Sequence, residues 1–200
     1  MYDQKFWNER YTSDNYLYGT DPNSFLAENS ELLTGPVLSL SEGEGRNAVF
    51  LASQGLEVLG VDSSDVGLTK AQTLAKLKGV EIQTEVADLE SFQPKNNFYG
   101  SVISISAHLP SVIRNKLYPL VEQSLKLGGI ILLEAYSERQ LARNTGGPKD
   151  ADMLMTIEKL EQEFPNFEPI LIQELEREVS EGEGHVGLVS VVQFIARKKA

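Results

Sequence analysis

Between residues 37 and 136, short apolar runs alternate with helical patterns, and this alternation leaves few folds open to the chain. Val37–Leu40 reads as a buried strand, followed by a helical face of Ala48, Val49, Leu51 and Ala52 with Gly55 as its C-cap. Val58–Val61 is a second strand, and a helix from about Ser64 to Lys78 stops at Gly79. Val80–Val86 alternates as a third strand, and "YGSVISISA", rich in β-branched residues, is a fourth. Pro110 opens a helix striped by Ile113, Leu117, Leu120, Val121 and Leu125, with Gly128-Gly129 as its stop. "IILLEAY" is a fifth strand, apolar on both faces and therefore interior. Strands and helices in this order imply a parallel sheet covered on both sides.

The ending breaks the rhythm. Leu154, Ile157, Leu160 and Phe164 mark a last helix, and two strands follow with no helix between them. In the first, Leu171, Leu175 and Val179 alternate with Glu174, Glu176 and Glu178; the second, Val186–Ala196, is apolar on both faces and so interior. The pair is expected to form an antiparallel hairpin. The first thirty-odd residues mix aromatic and polar side chains around a turn at Gly19–Asn23 and suggest a helix or two outside the sheet.

The pentapeptide SEGEG occurs twice, at Ser41–Gly45 and Ser180–Gly184. The second copy joins the hairpin strands and reads as a solvated turn, so the repetition is expected to be coincidence. The first lies at a strand–loop–helix junction, where a parallel sheet binds cofactors. Gly43-x-Gly45-x-x-Ala48 satisfies the dinucleotide pattern, and Asp62 closes the next strand where a carboxylate would meet ribose hydroxyls. Charge opposes a dinucleotide. Glu42 and Glu44 would stand beside its pyrophosphate with only Arg46 to offset them, and like charges about 4 Å apart cost on the order of 1–4 kcal/mol. S-adenosylmethionine (SAM) has the nucleoside without the phosphate, and its sulfonium and ammonium reverse the sign of that interaction. Asp88-Leu89, after the third strand, sits where an Asp can accept from an adenine amino group.

Bulk properties exclude several classes. The net charge of −11 opposes unaided binding to nucleic acid and favours a neutral or cationic small molecule. Cysteine is absent, which removes disulfides, thiolate nucleophiles and Cys-ligated zinc and fits a cytoplasmic protein. The two histidines stand apart and give no metal-ligand spacing. No apolar stretch is long enough to span a bilayer, so no membrane partner is expected.

With these residues in place, the chain resembles the class I SAM-dependent methyltransferases over nearly its whole length. "FWNERY", "YGTDPNSFL", "EGEGRNAVFLA", "VDSSDVGLTKA", "SAHLP", "LLEAYS", "TGGP" and "HVGLVSVVQFIARK" are similar to the tellurite-resistance and thiopurine-type branch of small-molecule enzymes. The resemblance implies a Rossmann-like α/β fold: a doubly wound, mostly parallel seven-stranded sheet with a C-terminal antiparallel hairpin and helices on both faces. It implies one domain, residues 1–200, with an N-terminal segment (1–35) over the cofactor, a cofactor-binding core (36–135), and a flap, helix and hairpin (136–200). It further implies that Gly43 and Gly45 approach the methionine moiety and Asp62 the ribose, while Asp88 and Leu89 hold the adenine. Trp7, Tyr11 and Tyr18 would cover the ligand, with Glu42, Glu44, Asn47, Ser63, Ile105 and Ser106 alongside. Two positions depart from the pattern: Ser39 replaces the usual acid of the first strand and Ser41 the first loop glycine, with Glu42 placed to substitute for the acid.

Methyl transfer from a sulfonium needs alignment and a dry site more than activation of the leaving group. A thiolate or selenolate acceptor needs no base, whereas a hydroxyl or weakly acidic thiol does benefit from one. His108 follows the fourth strand and His185 opens the last, so both are candidates to take a proton or orient the acceptor, with Arg177 and Tyr136 behind them. The stretch "SERQLARNTGGPKDADM" suits a mobile flap. The expected reaction is transfer of the SAM methyl to a small molecule, a thiol or a selenium or tellurium species by the resemblance, leaving S-adenosylhomocysteine. The alternatives are an NAD-linked oxidoreductase and a SAM-binding regulator without catalysis.

Overall fold

In the computed structural model, which describes residues 3–199, each apolar run of the middle region is a strand. The elements run α1 (Gln4–Arg10), α2 (Ser24–Glu28), β1 (Val37–Leu40), α3 (Arg46–Ser53), β2 (Val58–Asp62), α4 (Asp65–Lys78) and β3 (Gln83–Val86). They continue with β4 (Tyr99–Ile105), α5 (Ser111–Ser124), β5 (Leu125–Tyr136), α6 (Ile157–Glu163), β6 (Phe167–Glu181) and β7 (His185–Lys198). One seven-stranded sheet has the order β3-β2-β1-β4-β5-β7-β6. Only β7 runs against its neighbours. The order reverses at β1, whose partners are β2 on one side and β4 on the other. At such a reversal the connections leave toward opposite faces and open a crevice at the strands' carboxyl ends.

Strand alternation sorts the core into two layers. Leu38 and Leu40 face one way, with Val102, Ile131, Leu133, Val192 and Phe194, under Leu117 and Val121 of α5, Leu160 of α6 and Phe164 just after it. Val37, Ile103, Leu132 and Ile195 face the other way, under Leu51 of α3 and Leu74 of α4. Each fully buried side chain of this kind contributes about 1.5–3 kcal/mol relative to exposure. Local signals agree with the packing in α4: the Ser64 hydroxyl accepts from the Gly67 N–H, Asp65 lies in the first turn, Lys76 and Lys78 lie in the last, and Gly79 closes the helix in the left-handed region.

Four boundaries differ from the sequence reading. β3 is only Gln83–Val86, because Ile82 is drawn into the α4 layer and Val86 is left half exposed on an edge. α5 stops at Ser124, and Leu125 already pairs with Tyr99. Gly128-Gly129 therefore does not end a helix; it bends the start of β5, with Gly128 at φ +74°. Leu154 precedes α6, whose N-cap is the Thr156 hydroxyl.

Gly45 caps α3 at φ +96°, and a Cβ there would lie 2.6 Å from Cα and Cβ of Ala71 in α4. Gly45→Ala is expected to destabilise the fold by about 2–4 kcal/mol in urea denaturation, from backbone strain plus overpacking. Unchanged stability would mean that α3 and α4 do not meet at this point.

Candidate active site

A cavity of about 330 Å³ opens at the carboxyl ends of β1, β2 and β4, at the reversal of strand order. Its volume lies within the range of small-molecule sites. Its floor is the first SEGEG loop, whose backbone turns through left-handed conformations at Ser41 (φ +53°) and Gly43 (φ +62°). Ser41 thus adopts the conformation that a glycine would take more cheaply.

Within this loop Glu42 turns inward rather than toward solvent. Its carboxylate accepts from the Ser39 hydroxyl and, at 2.9 Å, from the Ala48 N–H in the first turn of α3. Alternation along β1 puts Ser39 on the α3 side of the sheet, which is why the two side chains meet. Burial pushes the Glu42 carboxyl up to about 7, against the pull of the Ala48 and Ser39 hydrogen bonds and of Arg46. A helix N-terminus favours an anion, and in a dinucleotide fold the pyrophosphate is that anion. Here the chain supplies its own.

Glu44 points elsewhere. It pairs with Lys70 of α4 and accepts from the Leu17 N–H at 2.8 Å. The expectation that only Arg46 offsets these two acids is corrected by Lys70, which lies 26 positions downstream and arrives through the packing of α3 on α4.

Asp62 ends β2 with its carboxylate accepting from the Gly43 N–H (2.9 Å) and the Ser64 N–H (2.8 Å). Burial raises its pKa, and these amides oppose the rise. Ser63, the exposed Asp88 and the buried Leu89 continue the wall, and Ile105, Ser106 and Asn47 face them. The N-terminal segment closes the cavity with Trp7 stacked on Tyr11 (5.7 Å between ring centres) and Tyr18 beyond. The segment is tied down by Lys70 Nζ, which donates to the Ser13 and Asn15 carbonyls at 2.7 Å each. Every residue expected at the cofactor lines this cavity except Gly45, which instead lets α4 approach.

At the other end lie His108 and His185. His108 Nε2 accepts from the Tyr136 N–H at 3.0 Å, and its ring stacks on Tyr136 at 4.9 Å. Burial, followed by the nearby His185, lowers its pKa to about 3. His108 is therefore neutral with its acceptor nitrogen occupied. His185 Nδ1 lies 3.2 Å from Glu181, and its ring packs on Tyr18 at 4.5 Å. Tyr136 and Arg177 stand behind the main cavity. They line a small pocket with Glu134, Glu181 and His185. Arg177 is held by Glu134 (3.2 Å), Glu181 (3.1 Å) and the Ser24 hydroxyl.

The second SEGEG is not a solvated turn. Its Glu181 pairs with Arg46 at 2.9 Å, and its Gly184 N–H donates to the Leu17 carbonyl at 2.9 Å. Both copies thus hold Leu17, one by its N–H and one by its C=O. The stretch expected as a flap is tethered through buried Gln140, which accepts from the Ser190 N–H and donates to Gly146 O. Gly147, Pro148 and Met153 of this stretch reach the cavity. Sequence reasoning missed Glu134, Glu181, Asn23 and Gln193, which join Arg46 and Arg177 in one buried polar network. A single acid in the apolar run "IILLEAY" was the available signal, because a buried Glu requires partners.

Residues 37–129, the span of β1 to the start of β5, match the family described as "Methyltransferase domain". SAM is the cofactor such a domain takes. No curated protein matches this chain in sequence. Among solved structures it is similar to the protein of a study titled "Conversion of a Disulfide Bond into a Thioacetal Group during Echinomycin Biosynthesis", at 18% identity and TM-score 0.80, covering 98% of this chain and 92% of that one. It is also similar to TehB from Haemophilus influenzae (16% identity, TM-score 0.71, 98% and 67% covered). A third likeness is to a SAM-dependent methyltransferase from Anabaena variabilis (18%, 0.70, 98% and 93%). The likenesses establish the fold that β1–β7 display. No helix among the described residues is long and apolar enough to cross a membrane.

Because Glu42 titrates near 7 in the folded protein against a usual 4.5, the fold holds a proton that the unfolded chain has lost between those values. The resulting stabilisation is full below the lower value and is lost as pH rises through the higher one. Wild type is therefore expected to lose stability relative to Glu42→Gln as pH rises from about 4.5 to about 7, and to level off above that, in paired urea denaturations. Parallel pH profiles would mean that the carboxyl is not buried as described.

Proposed function

We propose that the protein transfers the methyl group of SAM to a small-molecule acceptor with a soft reacting atom, a thiol or a selenium or tellurium species. The single observation that carries the cofactor half of this reading is the Glu42 carboxylate at the N-terminus of α3. It stands where a dinucleotide would place phosphate, and it turns a Gly-rich junction that reads as NAD-binding toward a phosphate-free, cationic nucleoside. The Gly43 N–H is already given to Asp62, so the loop offers that amide to no anion.

The residues present fit SAM. Asp62 keeps acceptor capacity for ribose hydroxyls, Asp88 and Leu89 suit the adenine, Gly43 lets the chain approach closely, and Trp7, Tyr11 and Tyr18 form an aromatic wall. When bound, SAM supplies an electrophilic methyl on a sulfonium. The protein's part is to hold it by these groups, exclude water beneath the N-terminal segment, and present the acceptor between His108 and His185. The soft-atom acceptor class follows the resemblance to tellurite-resistance and thiopurine-type enzymes. The cavity supports a small acceptor, since Met153, Ile113, Leu109 and the tethered 146–148 turn confine that end.

Isothermal titration with SAM, S-adenosylhomocysteine and NADH tests the reading. Micromolar binding of the first two and none of NADH is expected, with Asp62→Ala weakening SAM at least about 10-fold through loss of the ribose hydrogen bonds. NADH binding without SAM binding would overturn it.

A further inference from the structure

His185 lines both the cavity and the small pocket behind it, where it is paired with Glu181. Glu181, from the second SEGEG, is partly buried and immobilised on three sides. Its Oε1 accepts from Asn23 Nδ2 and Arg177 Nη2, both at 3.1 Å, and its Oε2 from Arg46 Nη2 at 2.9 Å. The remaining capacity of Oε2 faces His185 Nδ1 at 3.2 Å. Burial works to raise the Glu181 pKa, but the hydrogen bond to His185 and the charge of Arg46 outweigh it and hold the carboxyl near 2. An ionised carboxylate only accepts, so His185 Nδ1 carries the hydrogen. In the neutral imidazole the lone pair is then on Nε2, which has no protein partner among the described residues, in a ring that lines the cavity. The rings of Tyr18 (4.5 Å, tilted) and Tyr136 (5.5 Å, edge-on) pack against the imidazole from two sides of the chain.

We propose that Glu181 and His185 form a carboxylate–imidazole dyad that takes the proton from an acceptor arriving protonated, such as a thiol of ordinary acidity. The pairing follows the general logic by which a buried carboxylate orients a histidine and stabilises the imidazolium it becomes. His185 is the catalytic residue and Glu181 the positioning residue. The X–H bond of the acceptor breaks heterolytically and its proton passes to His185 Nε2. The electron pair left on X forms the X–CH3 bond, the pair of the S–CH3 bond goes to sulfur, and the proton leaves His185 for solvent. A pre-ionised acceptor needs none of this. The proposal rests on the methyltransferase reading and narrows its acceptor class.

The chain's two histidines make the test direct. Long-range proton–nitrogen correlation spectra of 15N-labelled protein, without any cofactor, are expected to show neutral His185 protonated on Nδ1. Glu181→Gln is expected to scatter it between tautomers while leaving the His108 signals in place. An Nε2–H tautomer in the wild type would overturn the dyad. Turnover is then compared on benzyl mercaptan, a neutral thiol at pH 7, and 4-nitrobenzenethiol, already a thiolate. His185→Gln is expected to slow the first by about 100-fold or more in kcat, with KM kept, and to leave the second within a few-fold. Glu181→Gln should slow the neutral thiol at least about 10-fold in the same manner. Equal losses on both thiols, or no methylation of the neutral thiol by wild-type protein that binds SAM in the titration, would overturn the proposal and leave the cofactor reading standing. Absent SAM binding would instead remove the reading beneath it.

Discussion

A single buried carboxylate at the end of the first strand organises the molecule around it. Glu42 must lie under α3, because Ser39 and the Ala48 N–H satisfy it there and nothing else in that layer would. A buried carboxyl without such partners would cost several kcal/mol. Holding it there draws the loop into left-handed turns at Ser41 and Gly43, and it aims the Gly43 N–H at Asp62. The end of β2 and the loop after β1 are thereby locked to one another, and the pocket floor acquires its shape.

The second constraint closes the pocket from the opposite side. Leu17 has its N–H taken by Glu44 and its carbonyl by the Gly184 N–H, so the N-terminal segment is held between the loop after β1 and the turn between β6 and β7. Arg46 reinforces the same junction, reaching Glu181 and the Tyr18 carbonyl. Two identical pentapeptides do unlike work here. In the first, the acids face a helix end and a lysine; in the second, the acid faces two arginines, an asparagine and a histidine. Small residues are needed at both for close backbone approach: a Cβ on Gly182 would lie 2.3 Å from the Leu17 carbonyl oxygen, and one on Gly43 would lie 2.8 Å from the Tyr11 hydroxyl.

Much of this was legible from residue order. The strand runs, the helix from Ser64 to its stop at Gly79 and the interior position of β7 follow from periodicity and turn chemistry, and the cavity-lining positions from Trp7 to Ser106 were given in large part by the family resemblance. The errors have a common form. Gly128-Gly129 and Val80–Ile82 were assigned by local pattern, yet pairing with Tyr99 and packing under α4 decided them. Tertiary contacts override local preference where an element ends, since an end has few local bonds to lose. Gly45 was read as a ligand contact because the motif contains it, whereas its need for φ +96° and for closeness to Ala71 is a matter of helix packing.

By itself the sequence determined the order and type of the strands, the two-sided burial of the sheet, and therefore the edge at which the cavity opens. Those properties are set by spacings of two and 3.6 residues, which the chain carries locally. The tertiary structure alone decided where each charge points. Glu42, Glu44 and Glu181 are chemically identical in the sequence, and three different neighbours, a helix amide, Lys70 and an Arg–His cluster, give them three different states. Glu42 is satisfied by partners within six residues, but Lys70 lies 26 residues from Glu44 and Arg46 lies 135 from Glu181, and only the folded chain brings such distant partners into contact.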